Sequence, residues 1–345
     1  MARTTIDQLY SLTVPEIQKI FLQTMQGIVD EAILDQMIKA IENNDPEALF
    51  RASGFTPAAL GPILDRIEEA YNDGAISESS TWPKRIITPL GDVRFRFDIR
   101  NVAVEQDLRN YSSSLVSELV EEARSNVRMV LQRGMIAGDN PRQTALNIIG
   151  KINPVTGSRE GGVLGLTTAQ EGWVANTRRY LEQLDSKYLS LKLRDKRFDA
   201  TVKKAISEKT PLSNVQIDKL LTSYKSRALK FRGETIARTE TLQALNKGAA
   251  ASYIQAFAEG TLAQEQVTKD WDDVGDKKTR HTHKSMGAKY PKGKGIDFNE
   301  PFVSSSGARL MYPGDISLGA GADEIANCRC KARYTVNWRY GLENG

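Results

Sequence analysis

Apolar positions recur at helical spacing through the first eighty residues. Ile17, Ile20, Phe21, Met25, Ile28, Ala32 and Ile33 fall on one stripe. Thr13-Val14-Pro15-Glu16 offers an N-cap with proline in the first turn, so the pattern predicts a helix beginning there. A second helix is expected over 35–43. A third follows Thr56-Pro57, carries Leu60, Ile63, Leu64, Ile67 and Tyr71, and closes at Asn72-Asp73-Gly74. Residues 77–83 read as a linker. Over 93–100 the period drops to two, a strand signal, and Ile86, Ile87 and Gly91-Asp92 before it suggest a hairpin.

A long amphipathic helix is expected over 104–133, with Leu108, Tyr111, Leu115, Leu119, Ala123, Val127 and Val130 as its stripe. Gly134 and Gly138-Asp139-Asn140-Pro141 punctuate it. Asn140-Pro141-Arg142 starts a helix reaching residue 152, residues 153–166 form a loop, and Thr167 or Thr168 caps the next helix. Another long helix is expected over 226–259. Arg232, Thr239, Gln243 and Asn246 share one stripe of it, with Glu240 alongside; such a stripe is either a solvent face or a buried network. After Gly260 helical periodicity stops. Short strands are expected at 269–271, 302–303 and 328–338, the last placing Cys328, Cys330, Ala332, Tyr334, Val336 and Trp338 on one face. The fold class is therefore mainly α with a small C-terminal α+β domain. The chain divides into an acidic helical domain (1–80), a basic helical middle domain with the hairpin (84–225), and an α+β domain (226–345).

Charge divides the chain more sharply than its net of +4 suggests. Residues 1–80 hold 5 basic and 13 acidic side chains, and the remainder carries a net of +12. Residues 176–247 concentrate 17 basic against 8 acidic groups. There Arg178, Arg179, Lys196, Arg197, Lys203 and Lys204 are candidates for sequence-blind binding to the phosphates of double-stranded DNA; the alternative is a solvated helical surface. Few aromatics interleave with them, which disfavours a stacking platform for single strands. No run approaches the roughly 18 apolar residues of a spanning helix. Residues 1–7 lack the apolar core of a secretory signal, so folding in a cytosol is expected.

The histidines number two, His281 and His283, and the cysteines two, Cys328 and Cys330. Such a set suits tetrahedral zinc, but H-x-H and C-x-C differ from structural-finger spacings. The alternative gives His283 a hydrogen bond to a carbonyl or carboxylate and makes the cysteines small buried hydrophobes. In a helix the two histidines diverge; in a strand they share a face. No nucleophile elbow or phosphate loop occurs. Asp272, Asp273 and Asp276 read as a turn and not as a hard-cation site.

Arg232, Ile236-Ala237-Arg238-Thr239-Glu240, Asn246, Trp271, Asp276, Thr279-Arg280, His283, Pro313-Gly314-Asp315 and the block from Glu324 through Asn327-Cys328-Arg329-Cys330 occur in a telling order. Together they resemble the bacteriophage Mu protein F-like family of minor head proteins, also called phage head morphogenesis proteins, over roughly 230–335. A fainter likeness extends upstream through Phe95-Arg96-Phe97, Gly165-Leu166-Thr167 with Gln170, and Asp195-Lys196-Arg197-Phe198-Asp199. The resemblance implies a non-enzymatic protein of the virion head interior, assembled in host cytoplasm. It would associate with the portal protein and assist head morphogenesis, DNA packaging or DNA ejection. The scaffold or major capsid protein and non-specific double-stranded DNA are further implied partners. Its structural signature falls on Arg232, Thr239, Glu240, Asn246, Trp271, Asp276, Arg280, His283, Asp315, Asn327, Cys328 and Cys330. It also singles out His283, Cys328 and Cys330 as positions where some relatives suit a metal, with His281 outside the pattern and no fourth ligand; no cofactor is otherwise expected. Two competing classes remain. One is a C-terminal nuclease or group-transfer toxin using Arg232, Glu240, Asp276 and His283. The other is a nucleic-acid module stabilised by zinc.

Overall fold

The computed structural model describes residues 5–88 and 91–340; residues 1–4, part of the stretch read for a signal, lie outside them. The described residues form eleven α-helices and nine short strands, the mainly α class with a small strand-bearing region that the periodicity predicts. No described helix is long and apolar enough to cross a membrane. The chain divides into two compact units. One gathers Met1–Gln18, Leu64–Ser112 and Glu234–Gly345, and is called the C-terminal unit here; the other, the central unit, gathers Lys19–Ile63 and Ser113–Gly233.

Helix α1 (Ile6–Glu31) begins seven residues before the expected start. Thr5 caps it reciprocally with Gln8, each side chain bonding the other's backbone N–H. Pro15 therefore sits inside the helix and not in its first turn. Helices α2 (Leu34–Glu42) and α3 (Pro46–Ala52) follow. The second of these escaped the periodicity because it has only two turns. Its signal is local: Asp45 accepts from the N–H groups of Glu47 and Ala48, and Pro46 opens the first turn.

Helix α4 (Gly61–Ser79) runs straight through Asn72-Asp73-Gly74, where a stop was expected, and takes in part of the supposed linker. The reason lies in helix α9 (Asn214–Ala258). A Cβ on Gly74 would stand 2.3 Å from the carbonyl oxygen of Leu245, and one on Gly248 would stand 1.9 Å from that of Tyr71. These glycines are contact points between two helix backbones, not breakers. The hairpin β1 (Ile86–Thr88) and β2 (Gly91–Val93) pairs Ile86 with Val93. Pairing stops at Val93, short of the expected strand to 100. Phe95 instead stacks on Trp82 at 4.6 Å, and Trp82 in turn packs on Tyr253 and Trp338. Aromatic packing there replaces a strand partner.

Helix α5 (Val102–Ala137) matches its expected stripe and continues past Gly134, whose missing side chain makes room for Thr144 of α6 (Pro141–Ile149). Helix α6 ends at Ile149, short of the expected 152, because Gly150 (φ +89°) turns the chain; residues 151–152 instead form β3 (Lys151–Ile152), which pairs with β4 (Arg159–Glu160) inside the expected loop at 153–166. Thr167 and Gln170 form a complete capping box at the start of α7 (Thr168–Glu182). Helix α8 (Asp199–Glu208) precedes α9. At 45 residues α9 is about 68 Å long and more than ten residues longer than its pattern suggested.

Beyond α9 the C-terminal unit carries β5 (Val267–Asp272), α10 (His281–Lys289), β6 (Ile296–Asp297), β7 (Phe302–Val303), β8 (Arg309–Leu310), α11 (Ala322–Ile325) and β9 (Lys331–Val336). The sheet order is β6-β5-β9, all antiparallel, with Trp271 opposite Ala332. Strand β9 starts three residues later than expected. Asn327 is left-handed (φ 55°) and Cys328 closes a turn by donating to the Ile325 carbonyl, so 328–330 is an irregular lead-in to the strand.

Candidate functional site

The polar stripe of α9 is buried: Thr239, Gln243 and Asn246 are each less than a tenth exposed. It is the network alternative that holds. Thr239 Oγ1 accepts from the Asn327 N–H at 3.0 Å. Asn246 spends both ends of its amide, donating to the Cys330 carbonyl at 3.3 Å and accepting from Ala332 N–H at 3.2 Å. One helix face thus clamps the segment 327–332 at two points. Between them the Pro313-Gly314-Asp315 turn closes on the same face. Gly314 (φ +89°) lies so near that a Cβ would sit 3.2 Å from the Gln243 Cα. Asp315 holds that turn by accepting from Met311 N–H, Ser317 N–H and the Ser317 hydroxyl. Glu240, one residue round the helix, accepts from the Tyr111 hydroxyl at 2.8 Å.

The segments 276–283 and 324–330 meet. Arg329 donates to Asp276 Oδ1 at 2.7 Å, and Arg280 donates back to the Ala326 carbonyl. Asp276 also accepts from the Lys278 and Thr279 N–H groups and the Thr279 hydroxyl. The Arg329 hydrogen bond is the main reason its carboxyl is held well below the usual range. Asp276 is therefore a turn anchor, and Asp272 pairs with Lys331 and Arg333.

Because α10 is helical, its two histidines part: His281 is exposed and His283 is 1% exposed. The His283 Nδ1 lies 3.3 Å from Cys330 Sγ and 3.4 Å from Cys328 Sγ. The opposite nitrogen, Nε2, stands 3.0 Å from Glu324 Oε2, though off the line of a well-formed N–H hydrogen bond. Trp271 meets the imidazole edge to face at 5.2 Å. Glu324 is itself 2% exposed and accepts from Ser306 at 2.5 Å and Thr282 at 2.9 Å. Burial pushes its carboxyl up, but those hydroxyls and the imidazole outweigh burial and leave it lowered. The hydrogen bond from Cys330 holds the Cys328 thiol well below the ordinary range, helped by His283 and opposed by burial; Cys330 is pushed the other way. Both cysteines are free and buried.

Two thiols and one imidazole nitrogen, all within 4.8 Å of one another, make a donor set that a borderline-soft metal ion accepts. Glu324 lies in one of the matching sequence blocks, but nothing in its spacing tells that it reaches a histidine 41 positions earlier.

Arg232 belongs to the central unit and takes no part in this cluster. It is 5% exposed, donates to the Gly165 carbonyl at 2.6 Å, pairs with Glu122 and lies over the Phe21 ring. The six candidate DNA-binding cations also lie in the central unit, all exposed. Arg178 is paired with Asp218 and Glu182, and Arg197 chelates the buried Asp195. Arg179 leans on Tyr180, and Lys204 stands 4.0 Å from Glu208. Lys196 and Lys203 have no ion-pair partner among the described residues.

The family model described as Phage Mu protein F like protein matches residues 125–333. No curated protein and no solved structure matches the chain.

Proposed function

The chain belongs to the phage Mu protein F-like family, a phage head-related family, and from that premise we propose that it is a non-enzymatic minor head protein. It sits in the head interior, contacts the portal, and assists head morphogenesis, DNA packaging or DNA delivery. The scaffold or major capsid protein is a further partner. The observation that carries this reading is the family match across residues 125–333, which takes in most of the central unit and the whole buried cluster of the C-terminal unit.

The side-chain arrangement supports it. Groups that could serve a nuclease or transferase hold other parts of the chain: Arg232 donates to the Gly165 carbonyl, Glu240 accepts from the Tyr111 hydroxyl, Asp276 accepts from Arg329, and His283 is buried. The exposed cations of the central unit suit packaged DNA, which presents phosphates and needs no base reading. Deleting the gene tests the proposal. Loss of filled heads, restored by the wild-type chain and by a His281→Ala chain, supports it. Normal assembly and infectivity without the gene contradict it.

A further inference from the structure

We propose that His283 Nδ1, Cys328 Sγ and Cys330 Sγ bind one zinc-class ion, and that Glu324 is the outer carboxylate that positions the imidazole. The inference concerns the donors of the C-terminal unit and stands apart from any action at the portal.

The first argument is distance. In a tetrahedral site, with about 2.3 Å to sulfur and about 2.0 Å to nitrogen, neighbouring nitrogen and sulfur ligands stand roughly 3.5 Å apart. Here the two nitrogen–sulfur separations are 3.3 and 3.4 Å. A shift of a few tenths of an ångström opens the set around an ion. The second is direction: one imidazole nitrogen faces both sulfurs while the other faces a carboxylate. The 3.0 Å contact lacks hydrogen-bond alignment as it stands, and a small rotation of the ring on ligation would give the N–H to carboxylate bond that fixes a ligating histidine in one tautomer and makes it more basic. The third is what holds the carboxylate. Ser306 and Thr282 donate to its two oxygens, so it is oriented before any ligand arrives. The fourth is backbone support, since the Cys330 N–H points at Cys328 Sγ at 3.4 Å, a contact that strengthens when that sulfur is a thiolate.

Three protein donors leave a fourth position. A cavity of about 10 Å³ adjoins His283, Cys328 and Cys330, with Thr279 and Asn327 in its wall. That volume takes a single water. The site is therefore a three-ligand centre completed by solvent, unlike a closed four-ligand finger. Binding places the two thiolates under a divalent charge and ties the lead-in of β9 to α10, segments about 40 residues apart in sequence.

The full chain, purified under reducing conditions, tests this by metal analysis and by titration with cobalt(II). The expected result is one metal per chain and, with cobalt, an intense sulfur-to-metal charge-transfer band in the near ultraviolet. In Cys330→Ala the band should fall by about half. Glu324→Gln keeps all three donors, so it should keep the band but weaken affinity by about 10–100-fold. A purely structural role for Glu324 would lower the melting temperature and leave the affinity of the folded protein unchanged. The wild-type cobalt titration needs no variant and so does not depend on any substitution folding. Metal-free protein that gives no charge-transfer band, with thiols alkylated equally fast in the presence and absence of zinc, would overturn the proposal.

Discussion

In the central unit the six candidate DNA-binding cations face water, and acids beneath outward-facing arginines are covered. Asp195 is 2% exposed while the Arg197 that chelates it is an 80% exposed side chain, and Glu171 is covered by an outward-facing Arg133. In the C-terminal unit the polar groups turn inward. Thr239, Asn246, Lys269, His283 and Glu324 are all buried and each has its partner within the unit. The difference decides what each region tolerates. Surface charge can be changed at little cost to stability, whereas each inward polar group leaves a desolvated partner behind when removed. The first region is thus free to serve an outside ligand, and the second is committed to its own geometry.

The contrast breaks most visibly at the glycines. Gly248→Ala puts a Cβ 1.9 Å from the Tyr71 carbonyl, a backbone atom that cannot swing away. We expect a loss of about 3 kcal/mol or more, seen as a collapse of the melting temperature. Gly172→Ala, in α7 of the central unit with nothing within 4 Å, should gain about 0.5–1 kcal/mol. Equal effects at the two sites would erase the distinction.

Asn246→Ala comes next. It orphans the Cys330 carbonyl and the Ala332 N–H together, with an expected cost of about 2–3 kcal/mol by denaturant unfolding. An unchanged midpoint would mean the clamp on 327–332 is slack.

A smaller effect should appear with pH. Lys269 is 2% exposed, donates to the Met311 carbonyl and lies over the rings of Phe298 and Phe302. Burial brings its ammonium down to about 8, against support from Asp315 and Glu300. Since the unfolded lysine titrates near 10.4, the folded state binds fewer protons between those values. Stability therefore rises as pH climbs from about 8 towards 10. Lys225, half-buried and lowered to about 8 chiefly by desolvation, adds the same sign in the central unit. Above about 10 the buried tyrosines, raised by burial, reverse the trend. Lys269→Met should flatten the rise by about 1–2 kcal/mol, and a slope unchanged in that variant would show that this lysine is solvated.

The mildest change for the fold falls on the surface. Lys196→Glu with Lys203→Glu and Lys204→Glu should leave the melting temperature within error while lowering DNA affinity and reducing the salt slope by roughly 2–3. Arg197 is left alone because its loss would uncover Asp195. An unaltered salt series would remove DNA from this face.

Much of the fold was legible. The stripe of α5, a helix cap at Thr167 or Thr168, and the meeting of the Thr279–His283 and Cys328–Cys330 segments all follow from periodicity and matching blocks. What was not legible has a common cause. Gly74 and Gly134 look like breakers in one dimension and are points of close approach in three. Phe95 and Phe97 alternate like a strand, yet Phe95 is held by an aromatic cluster assembled from distant positions, Trp82 and Tyr253. Whether the polar stripe of α9 faced water or a network could not be decided until its partner, a strand lead-in 80 residues later, was in place. Glu324 was hidden in the same way, since a carboxylate beside a histidine leaves no trace in spacing.

The claim on which the account turns is that this chain is a component of the phage head. Quantitative mass spectrometry of purified heads measures it directly. The account predicts the chain in a fixed low ratio to the portal protein, in heads that have and have not yet packaged DNA. Heads from a productive infection that contain portal but none of this chain would contradict it.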